Sequence, residues 1–397
     1  MVRGEIDTRP RLLIATTISL TLRSFLMPFG TYFRRLGYRV DAMAHGVEAD
    51  RETLGSAFDH LFEVSWTRRP WVPWTFCRAV KQVRGVVDAG GYDVIHVHTP
   101  VAAFVTRLSL PREGRAAVIY TAHGFHFHGG GKSLPNAVYR MLEKIAGRWT
   151  DFLVVVNQED FEAAKRHCLV DPGRLRLIPG VGIDTGAYCP DVVLAPDVEK
   201  TRAELALRDG EALVVMVAEF NTGKRHRDAL MALSKLRRRD VVLAFAGEGP
   251  ERSKIEALAS RLGLTERVRF LGYREDVKQL MRTAVATVLP SDREGLSRSV
   301  MESMSLEVPV IGANSRGIRD LIAGGGGVLV PIGDADRIAA AIDWVVDHPE
   351  EATGLGRRGR CLVQPYRTEV ILKLYGSLFE EAVAVTRDVG RRSQAPR

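Results

Sequence analysis

The fold of this chain can be inferred from residues 286–306, which read ATVLPSDREGLSRSVMESMSL. Ala286–Leu289 is a short apolar run that predicts a buried strand. Pro290 ends the strand, and a polar loop follows it. Ser297–Leu306 then spaces its apolar residues as a helix does. A strand, a polar loop and a helix in this order form the repeating unit of a parallel α/β sheet.

The same unit repeats on both sides of this segment. Helical stretches follow most of the apolar runs, the first from Leu22 to Leu36. We therefore expect two doubly wound, Rossmann-like domains that face each other across a cleft, with ligands bound beyond the carboxyl ends of the strands. Nine strands are predicted: Leu12–Thr16, Tyr92–His98, Ala117–Tyr120, Phe152–Val156, Leu213–Val217, Val241–Ala246, Val268–Phe270, Ala286–Leu289 and Val308–Gly312.

The domain boundaries are predicted where this repeat stops. Residues 188–199 contain two Pro-Asp pairs and lose periodicity, so they predict a linker. The first domain then covers 1–187 and the second 200–365. A last helix is predicted at 366–386, which could pack on either domain. The polar, basic residues 387–397 predict a disordered tail.

Composition excludes several classes of protein. With 46% hydrophobic residues among 397, the chain is not mainly disordered. The formal net charge is +8: residues 1–190 hold 24 Lys and Arg against 18 Asp and Glu, and the remainder holds 32 against 30. This excess predicts an anionic partner for the first half.

Four cysteines without a CxxC spacing indicate reduced thiols. The apolar run Leu12–Leu22 is too short to cross a bilayer.

Two glutamates in the opening segment are the strongest candidates for ligand binding. Glu294 lies in the loop after the strand, and Glu302 lies about two turns into the helix. One carboxylate could accept hydrogen bonds from sugar hydroxyls and the other could hold a ribose diol. The backbone N–H groups of the first helical turn, after Gly295, remain available to a phosphate. The alternative is an acidic cap and an exposed helix residue.

Other loops that follow strands add cationic and glycine residues. Lys224 supplies a point charge suited to phosphate, and Gly223 allows close backbone approach. The alternative for this loop is a solvated helix start. The Gly-x-Gly sequence at Gly247 is a weak signal alone, and Tyr273 with Arg274 could flank a planar base. Together these loops fit a sugar carried on a nucleoside diphosphate.

Three histidines, at positions 123, 126 and 128, follow the strand Ala117–Tyr120. Their spacing fits no strong zinc signature, so we predict no metal site. His123 is better placed to donate a hydrogen bond to a ligand. His126 and His128 could equally order the glycine-rich loop after them.

The sequence resembles retaining GT-B glycosyltransferases of family 4 over nearly its whole length. The family's E-x7-E element is present as Glu294 and Glu302. The stretches IHVHTP at 95–100, YTAHGFHF at 120–127 and NQED at 157–160 are similar to those of the subgroup that builds bacterial capsular and exopolysaccharide units on a polyprenyl-diphosphate carrier. The stretch IPGVGID at 178–184 resembles the end of the family's N-terminal domain.

The resemblance implies a role for each candidate residue. The second domain would bind a nucleotide sugar, most often a UDP-sugar, and the first domain the acceptor. Many family members carry Arg where this chain has Glu219, five residues before the lysine, so Asn221 and Arg225 are candidates for the missing phosphate contact. The implied residues are His123, Lys224 and Glu294 at the reaction centre; Glu302, Gly295, Leu296, Asn221, Arg225, Gly247, Tyr273 and Arg274 at the donor; and Thr17, Ser19, His98 and His126 at the acceptor.

The expected protein is therefore a metal-independent, retaining, hexosyltransferase-type enzyme without a cofactor, since the nucleotide sugar is a substrate. The acceptor would be a polyprenyl-diphosphate-linked saccharide used for cell-surface polysaccharide. The alternatives are a soluble natural-product acceptor or a non-catalytic sugar-nucleotide-binding protein. No nucleic-acid-binding signature is present.

The chain is expected in the cytoplasm, peripherally bound to the inner face of the plasma membrane. Trp66 to Trp74 holds three Trp and two Arg, which predicts contact with an anionic bilayer surface. Buried aromatic residues, or a loop of the acceptor site, are the alternative for this segment.

Overall fold

The computed structural model describes residues 9–66, 73–111, 116–127 and 133–393. The chain forms two compact units. The first consists of Met1–Val181 together with Glu369–Arg397, and the second of Gly182–Thr368.

A parallel sheet of seven strands forms the centre of the first unit, in the order β3-β2-β1-β4-β5-β6-β7. The order reverses between β1 and β4, because β2 and β3 lie on one side of β1 and the later strands on the other. The strands are β1 (Arg11–Ile18), β2 (Arg39–His45), β3 (His60–Glu63), β4 (Val94–His98), β5 (Ala117–Ala122), β6 (Phe152–Val155) and β7 (Leu175–Leu177).

Helices cover both faces of this sheet. Alternate residues of β1 point to opposite faces: Leu12 packs in a core with Phe29 and Phe33, whereas Leu13 packs in a core with Ala79 and Ala102. The helices of this unit are α1 (Ser19–Thr21), α2 (Met27–Arg35), α3 (Arg51–Gly55), α4 (Pro73–Gly90), α5 (Pro100–Ser109), α6 (Ser133–Ala146) and α7 (Gln158–Arg166), with the C-terminal helix described below.

The second unit has a parallel sheet of six strands in the order β10-β9-β8-β11-β12-β13, and its order reverses between β8 and β11. The strands are β8 (Ala212–Val217), β9 (Val241–Ala246), β10 (Val268–Gly272), β11 (Ala286–Leu289), β12 (Val310–Ala313) and β13 (Gly327–Val330). The helices are α8 (Ala195–Glu204), α9 (His226–Lys235), α10 (Arg252–Arg261), α11 (Val277–Thr283), α12 (Arg298–Ser305), α13 (Arg316–Ile322), α14 (Ala335–Asp347) and α15 (Pro349–Leu362).

The predicted α/β class with two Rossmann-like domains is confirmed, and all nine predicted strands are present within a few residues. Four strands were missed: β2, β3, β7 and β13. In β2 the fully buried Asp41 interrupts the apolar run, and its carboxylate is satisfied by Arg39, His60 and the hydroxyl of Tyr92. The strands β3, β7 and β13 are only three or four residues long.

The structure differs from the sequence prediction around residues 188–199, which contain more than a linker. Helix α8 begins at Ala195, because Pro196 occupies its first turn and the Asp197 carboxylate accepts the N–H of Leu194.

The helix predicted from Leu22 to Leu36 also differs from the structure, because a π-helical turn, Leu22–Leu26, precedes α2. Such turns occur frequently at functional sites.

The chain ends in α16 (Thr368–Ser393), which belongs to the first unit from Glu369 onward. Tyr375 and Phe379 are fully buried there, and the Tyr375 hydroxyl bonds to Thr121 Oγ1 at 2.9 Å. The helix extends to Ser393, into the segment 387–397 for which the sequence predicts a disordered tail. Residues 394–397 lie outside the described part. Within that part, no helix is both long and apolar enough to cross a membrane.

Candidate active site

Lys224 and Glu294 meet at the point in the second unit where the strand order reverses. Lys224 follows β8 and Glu294 follows β11, and Lys224 Nζ lies 2.6 Å from Glu294 Oε1. Residues beyond the carboxyl ends of strands at such a point commonly bind ligands. The side chain of Lys224 is about a quarter exposed at 26%, and that of Glu294 is 10% exposed. The structure thus brings together two predicted residues that are seventy positions apart.

Local backbone contacts hold both residues in place. Asn221 caps the short 3-10 turn Thr222–Lys224, because its Oδ1 accepts the Lys224 N–H at 3.1 Å. Its Nδ2 donates to Glu219 Oε2 at 3.0 Å, so Glu219 supports the loop. On the other loop, Arg316 Nε donates to the Glu294 carbonyl at 3.2 Å. Arg316 is nearly fully buried.

The loop through Gly295 and Leu296 lies against helix α13. A Cβ on Gly317 would lie 2.1 Å from the Gly295 carbonyl oxygen, so only glycine allows this approach. Leu296 packs on the apolar core of the unit. The backbone around Gly295 is therefore held by packing on both sides.

Arg225 is engaged with acids of its own unit. Its guanidinium pairs with Asp228 and donates to Asp292 Oδ1 at 2.8 Å, and these hydrogen bonds raise its pKa. Arg225 and its two carboxylate partners together carry no net positive charge that would attract a phosphate. Arg225 instead helps to join the loop after β8 to the loop after β11.

Glu302 is buried and lies within hydrogen-bond reach of two side chains. Arg298 Nε donates to its Oε1 at 2.9 Å, and Tyr188 forms a further hydrogen bond with it. Burial raises the pKa of Glu302, while Arg298 and Tyr188 oppose that shift. Tyr188 could not be found from the sequence, because it lies in the segment interpreted as a linker.

Gly247 lies where the surrounding backbone leaves no room for a side chain. Its φ is +147°, and a Cβ there would lie 2.1 Å from the carbonyl oxygen of Ala218, in the loop after β8. Its N–H donates to the Gly272 carbonyl at 2.7 Å. The close approach that requires this glycine is therefore to the chain itself.

Replacing Gly247 by alanine should lower the free energy of unfolding by about 2–3 kcal/mol, because both the backbone conformation and the space disfavour a Cβ. Urea unfolding measures the effect. The matched control is Gly376→Ala in α16, where a Cβ meets nothing within 4 Å and alanine should raise stability by about 0.5–1 kcal/mol. Equal stabilities of the two variants would contradict this account.

Tyr273 and Arg274, the predicted base-flanking pair, differ in their surroundings. The side chain of Tyr273 is exposed. The guanidinium of Arg274 donates to Glu204 and to Asp276, and these hydrogen bonds raise its pKa. Arg274 therefore connects α8 to the loop after β10.

In the first unit, a row of histidines crosses the ends of β4 and β5. His98 Nδ1 lies 2.9 Å from Nε2 of His123, and His96 Nε2 lies 2.8 Å from Thr121 Oγ1. His123 is exposed, whereas His96 and His98 are fully buried. Burial lowers the pKa of both buried imidazoles, that of His96 to about 3, so both are neutral at pH 7. Because His98 is buried, we expect it to influence an acceptor only through its hydrogen bond with His123.

Thr17 lies where the strand order of the first unit reverses. Its hydroxyl is 2.7 Å from that of Thr99, and its N–H donates to the same Thr99 oxygen at 2.9 Å. Thr99, which sequence reasoning missed, has a φ of +59°, a strained conformation for a β-branched residue. Such strain concentrates at functional sites. Ser19, two residues after Thr17 along the chain, is largely buried.

The loop after His123 is held by the NQED stretch at 157–160. Asp160 is buried, and its Oδ2 accepts the N–H of Phe125 at 3.3 Å and the Asn157 side-chain amide at 2.8 Å. His126 is exposed, with its ring 5.1 Å from that of Tyr139. His128 lies outside the described residues.

Only the ends of the predicted membrane-contact segment, Trp66 to Trp74, can be described, because residues 67–72 fall outside the described part. Trp66 is 2% exposed, and its Nε1 donates to the Thr17 carbonyl at 2.9 Å. The bilayer contact predicted for Trp66 is therefore wrong, since its indole supports β1 instead. Trp74 is 84% exposed.

Two parallel-sheet units of this kind define the GT-B class of glycosyltransferase fold, and solved structures agree. Anabaena HepE, crystallised with UDP and glucose, matches with a TM-score of 0.77 at 17% identity, over 94% of this chain and 100% of that one. Sucrose-phosphate synthase from Thermosynechococcus elongatus matches with a TM-score of 0.79 at 21% identity, over 95% and 100%.

The family is shown by sequence. The profile of Glycosyltransferase Family 4 matches residues 25–186, and that of Glycosyl transferases group 1 matches residues 197–361. The putative glycosyltransferase EpsD of Bacillus subtilis is 32% identical over 88% of this chain and 91% of that protein. An Escherichia coli UDP-Gal:alpha-D-GlcNAc-diphosphoundecaprenol alpha-1,3-galactosyltransferase is 26% identical over 64% and 67%. The chain belongs to glycosyltransferase family 4 and is a glycosyltransferase.

Proposed function

We propose that this enzyme transfers a hexose, with retention, from a UDP-sugar to a polyprenyl-diphosphate-linked saccharide used for cell-surface polysaccharide. The Escherichia coli relative, whose name states a UDP-galactose donor and a diphosphoundecaprenol-linked acceptor, supports this substrate pair.

The observation that carries the proposal is the ion pair between Lys224 and Glu294, 2.6 Å apart where the strand order of the second unit reverses. In the proposed site, the Lys224 ammonium neutralises the leaving diphosphate and the Glu294 carboxylate binds sugar hydroxyls. Glu302 holds the ribose, and the backbone at Gly295 and Leu296 contacts the diphosphate. Asn221 and Tyr273 are proposed to bind the remaining donor atoms, whereas Arg225, Gly247 and Arg274 hold the loops around the site.

The proposed chemistry needs stabilisation of two opposite charges. Positive charge develops on the sugar ring, and negative charge develops on the departing diphosphate. A fixed ammonium and helix N–H groups stabilise that diphosphate without reorganisation, so we propose that transfer needs no metal ion. The leaving phosphate accepts the acceptor's proton on the same face, which gives retention without a protein nucleophile. His123 hydrogen-bonds the sugar, and Thr17, Ser19 and His126 bind the acceptor.

A polyprenyl-linked acceptor resides in a membrane, so we propose that the enzyme works at an anionic bilayer surface. The cationic excess of residues 1–190 supports this placement.

The test is an assay of purified enzyme with a panel of UDP-sugars and polyprenyl-diphosphate-linked saccharides, in the presence and absence of EDTA. We expect product by mass spectrometry, an unchanged anomeric configuration by NMR and equal rates in both buffers. Transfer only to soluble acceptors would contradict the proposed acceptor. Binding of UDP-sugars without turnover on any acceptor would contradict the proposed reaction, and loss of activity in EDTA would contradict metal independence.

A further inference from the structure

Helix α6 has an unusual distribution of apolar side chains. Leu134 is 76% exposed, Met141 is 55% exposed and Val138 is 38% exposed. With the half-buried Ile145 these residues follow the spacing i, i+4, i+7 and i+11, which places them along one side of the helix. Only the last residue, Ala146, is buried among those of α6.

The opposite side of α6 contacts the protein through Glu143. Glu143 is nine residues after Leu134, which at about 100° per residue is two and a half turns and therefore the far side. Its carboxylate accepts hydrogen bonds from Arg107 and from the Tyr120 hydroxyl, each at 3.1 Å. A surface helix normally turns its apolar side inward. In α6 the apolar stripe is exposed instead, so it does not serve the core of this unit.

Basic residues flank the stripe. Arg140 and Lys144 lie one turn apart on α6, beside Met141, and Arg148 is exposed in the turn that follows. Arg140, Lys144 and Arg166 are close enough together that, after desolvation, all three lower the pKa of His167. The only acid of α6, Glu143, is engaged on the inner side.

We propose that α6 lies flat on an anionic bilayer, with Leu134, Val138 and Met141 entering the boundary between head groups and acyl chains while Arg140 and Lys144 contact lipid phosphates. An apolar stripe with a cationic flank is the pattern of interfacial helices. Three side chains expose a few hundred Å² at most, whereas a stable dimer needs roughly 800 Å² per partner. The membrane is therefore favoured over a second copy. This inference rests on the proposed function, in which the acceptor is carried by a lipid.

The test is co-sedimentation of the full chain with vesicles of phosphatidylethanolamine and phosphatidylglycerol, compared with vesicles in which phosphatidylcholine replaces phosphatidylglycerol. We expect binding to the anionic vesicles only. The double substitution Leu134→Asp with Met141→Asp should lower the vesicle partition coefficient at least about tenfold. The reason is that two apolar side chains which the bilayer would bury are replaced by charged ones. Arg140→Glu with Lys144→Glu should lower it similarly, and added salt should weaken binding by the parent protein.

The matched control is Leu194→Asp with Ile332→Asp, which changes two exposed apolar side chains of the second unit and should bind vesicles as the parent does. Unchanged binding by the α6 variants, equal binding to neutral vesicles, or a concentration-dependent dimer that the Leu134 and Met141 substitutions abolish would each overturn the proposal. UDP affinity, measured on every variant, should stay constant and shows that the fold is intact. Vesicle binding without any transferase activity would instead contradict the proposed function and leave this surface assignment standing.

Discussion

Substituting Lys224 by alanine is expected to lower turnover roughly a hundred- to a thousandfold. The Lys224 ammonium is the cation proposed to face the departing diphosphate, and loss of one preorganised charge-stabilising donor has about this effect on catalysis. The fold should survive, because Lys224 is partly exposed and its ion pair contributes little to stability. Steady-state rates with a UDP-sugar, together with the thermal unfolding midpoint, measure both quantities.

Lys235→Ala is the matched control. Lys235 lies on α9 of the same unit, and its Nζ is 2.7 Å from Asp336, so it too is an ion-paired lysine. It has no part in the proposed site, and its removal should leave the rate within about twofold of the parent. Equal rates for the two variants would remove Lys224 from the mechanism.

Glu294→Gln should also lower turnover by orders of magnitude, because the substitution keeps the shape of the side chain and removes the charge that faces Lys224. If both residues act on the same donor, the double variant should lose much less activity than the product of the two single losses. Fully multiplicative losses would indicate independent roles. Near-normal activity of Glu294→Gln would remove that residue from the mechanism.

The sequence predicted which loops carry the candidate site because parallel α/β sheets place their loops systematically. An apolar strand followed by a polar loop and a helix determines where Glu294 and Lys224 must lie along the chain. It also places the loops after β8 and β11 at the same edge of one sheet. Their direct contact at 2.6 Å follows from that topology.

The sequence could not predict which charged residues already have partners within the protein. Arg225 pairs with Asp292, sixty-seven residues away, and Arg274 pairs with Glu204, seventy residues away. Both arginines looked available for a ligand, because a local pattern holds no information on such distant acids. Tyr188 was missed for the same reason, since its contact with Glu302 depends on how the chain returns to α12.

Substituting His98 should also change the rate, and the size of the loss should depend on which residue replaces it. His98 is fully buried and contacts His123 through Nδ1. Asparagine places its amide nitrogen near the position of Nδ1, whereas glutamine reaches toward Nε2. His98→Asn should therefore keep the rate within a few-fold, and His98→Gln and His98→Ala should each lower it about ten- to a hundredfold, as losses of orienting partners do. UDP affinity should not change, since the donor is proposed to bind the other unit.

The unpartnered Nε2 of His98 indicates which residue donates the hydrogen bond between His98 and His123. Among the described residues, nothing accepts or donates at His98 Nε2, and a buried N–H without an acceptor is costly. The His98 proton is therefore expected on Nδ1, where it is donated to His123 Nε2. Because Nε2 of His123 accepts this hydrogen bond, its own proton lies on Nδ1 and can be donated to a sugar oxygen. Nitrogen-15 NMR of labelled histidines should show the Nδ1–H form of both residues. An Nε2–H form of His123, or equal rates for His98→Asn and His98→Gln, would show that His98 does not orient His123 in this way.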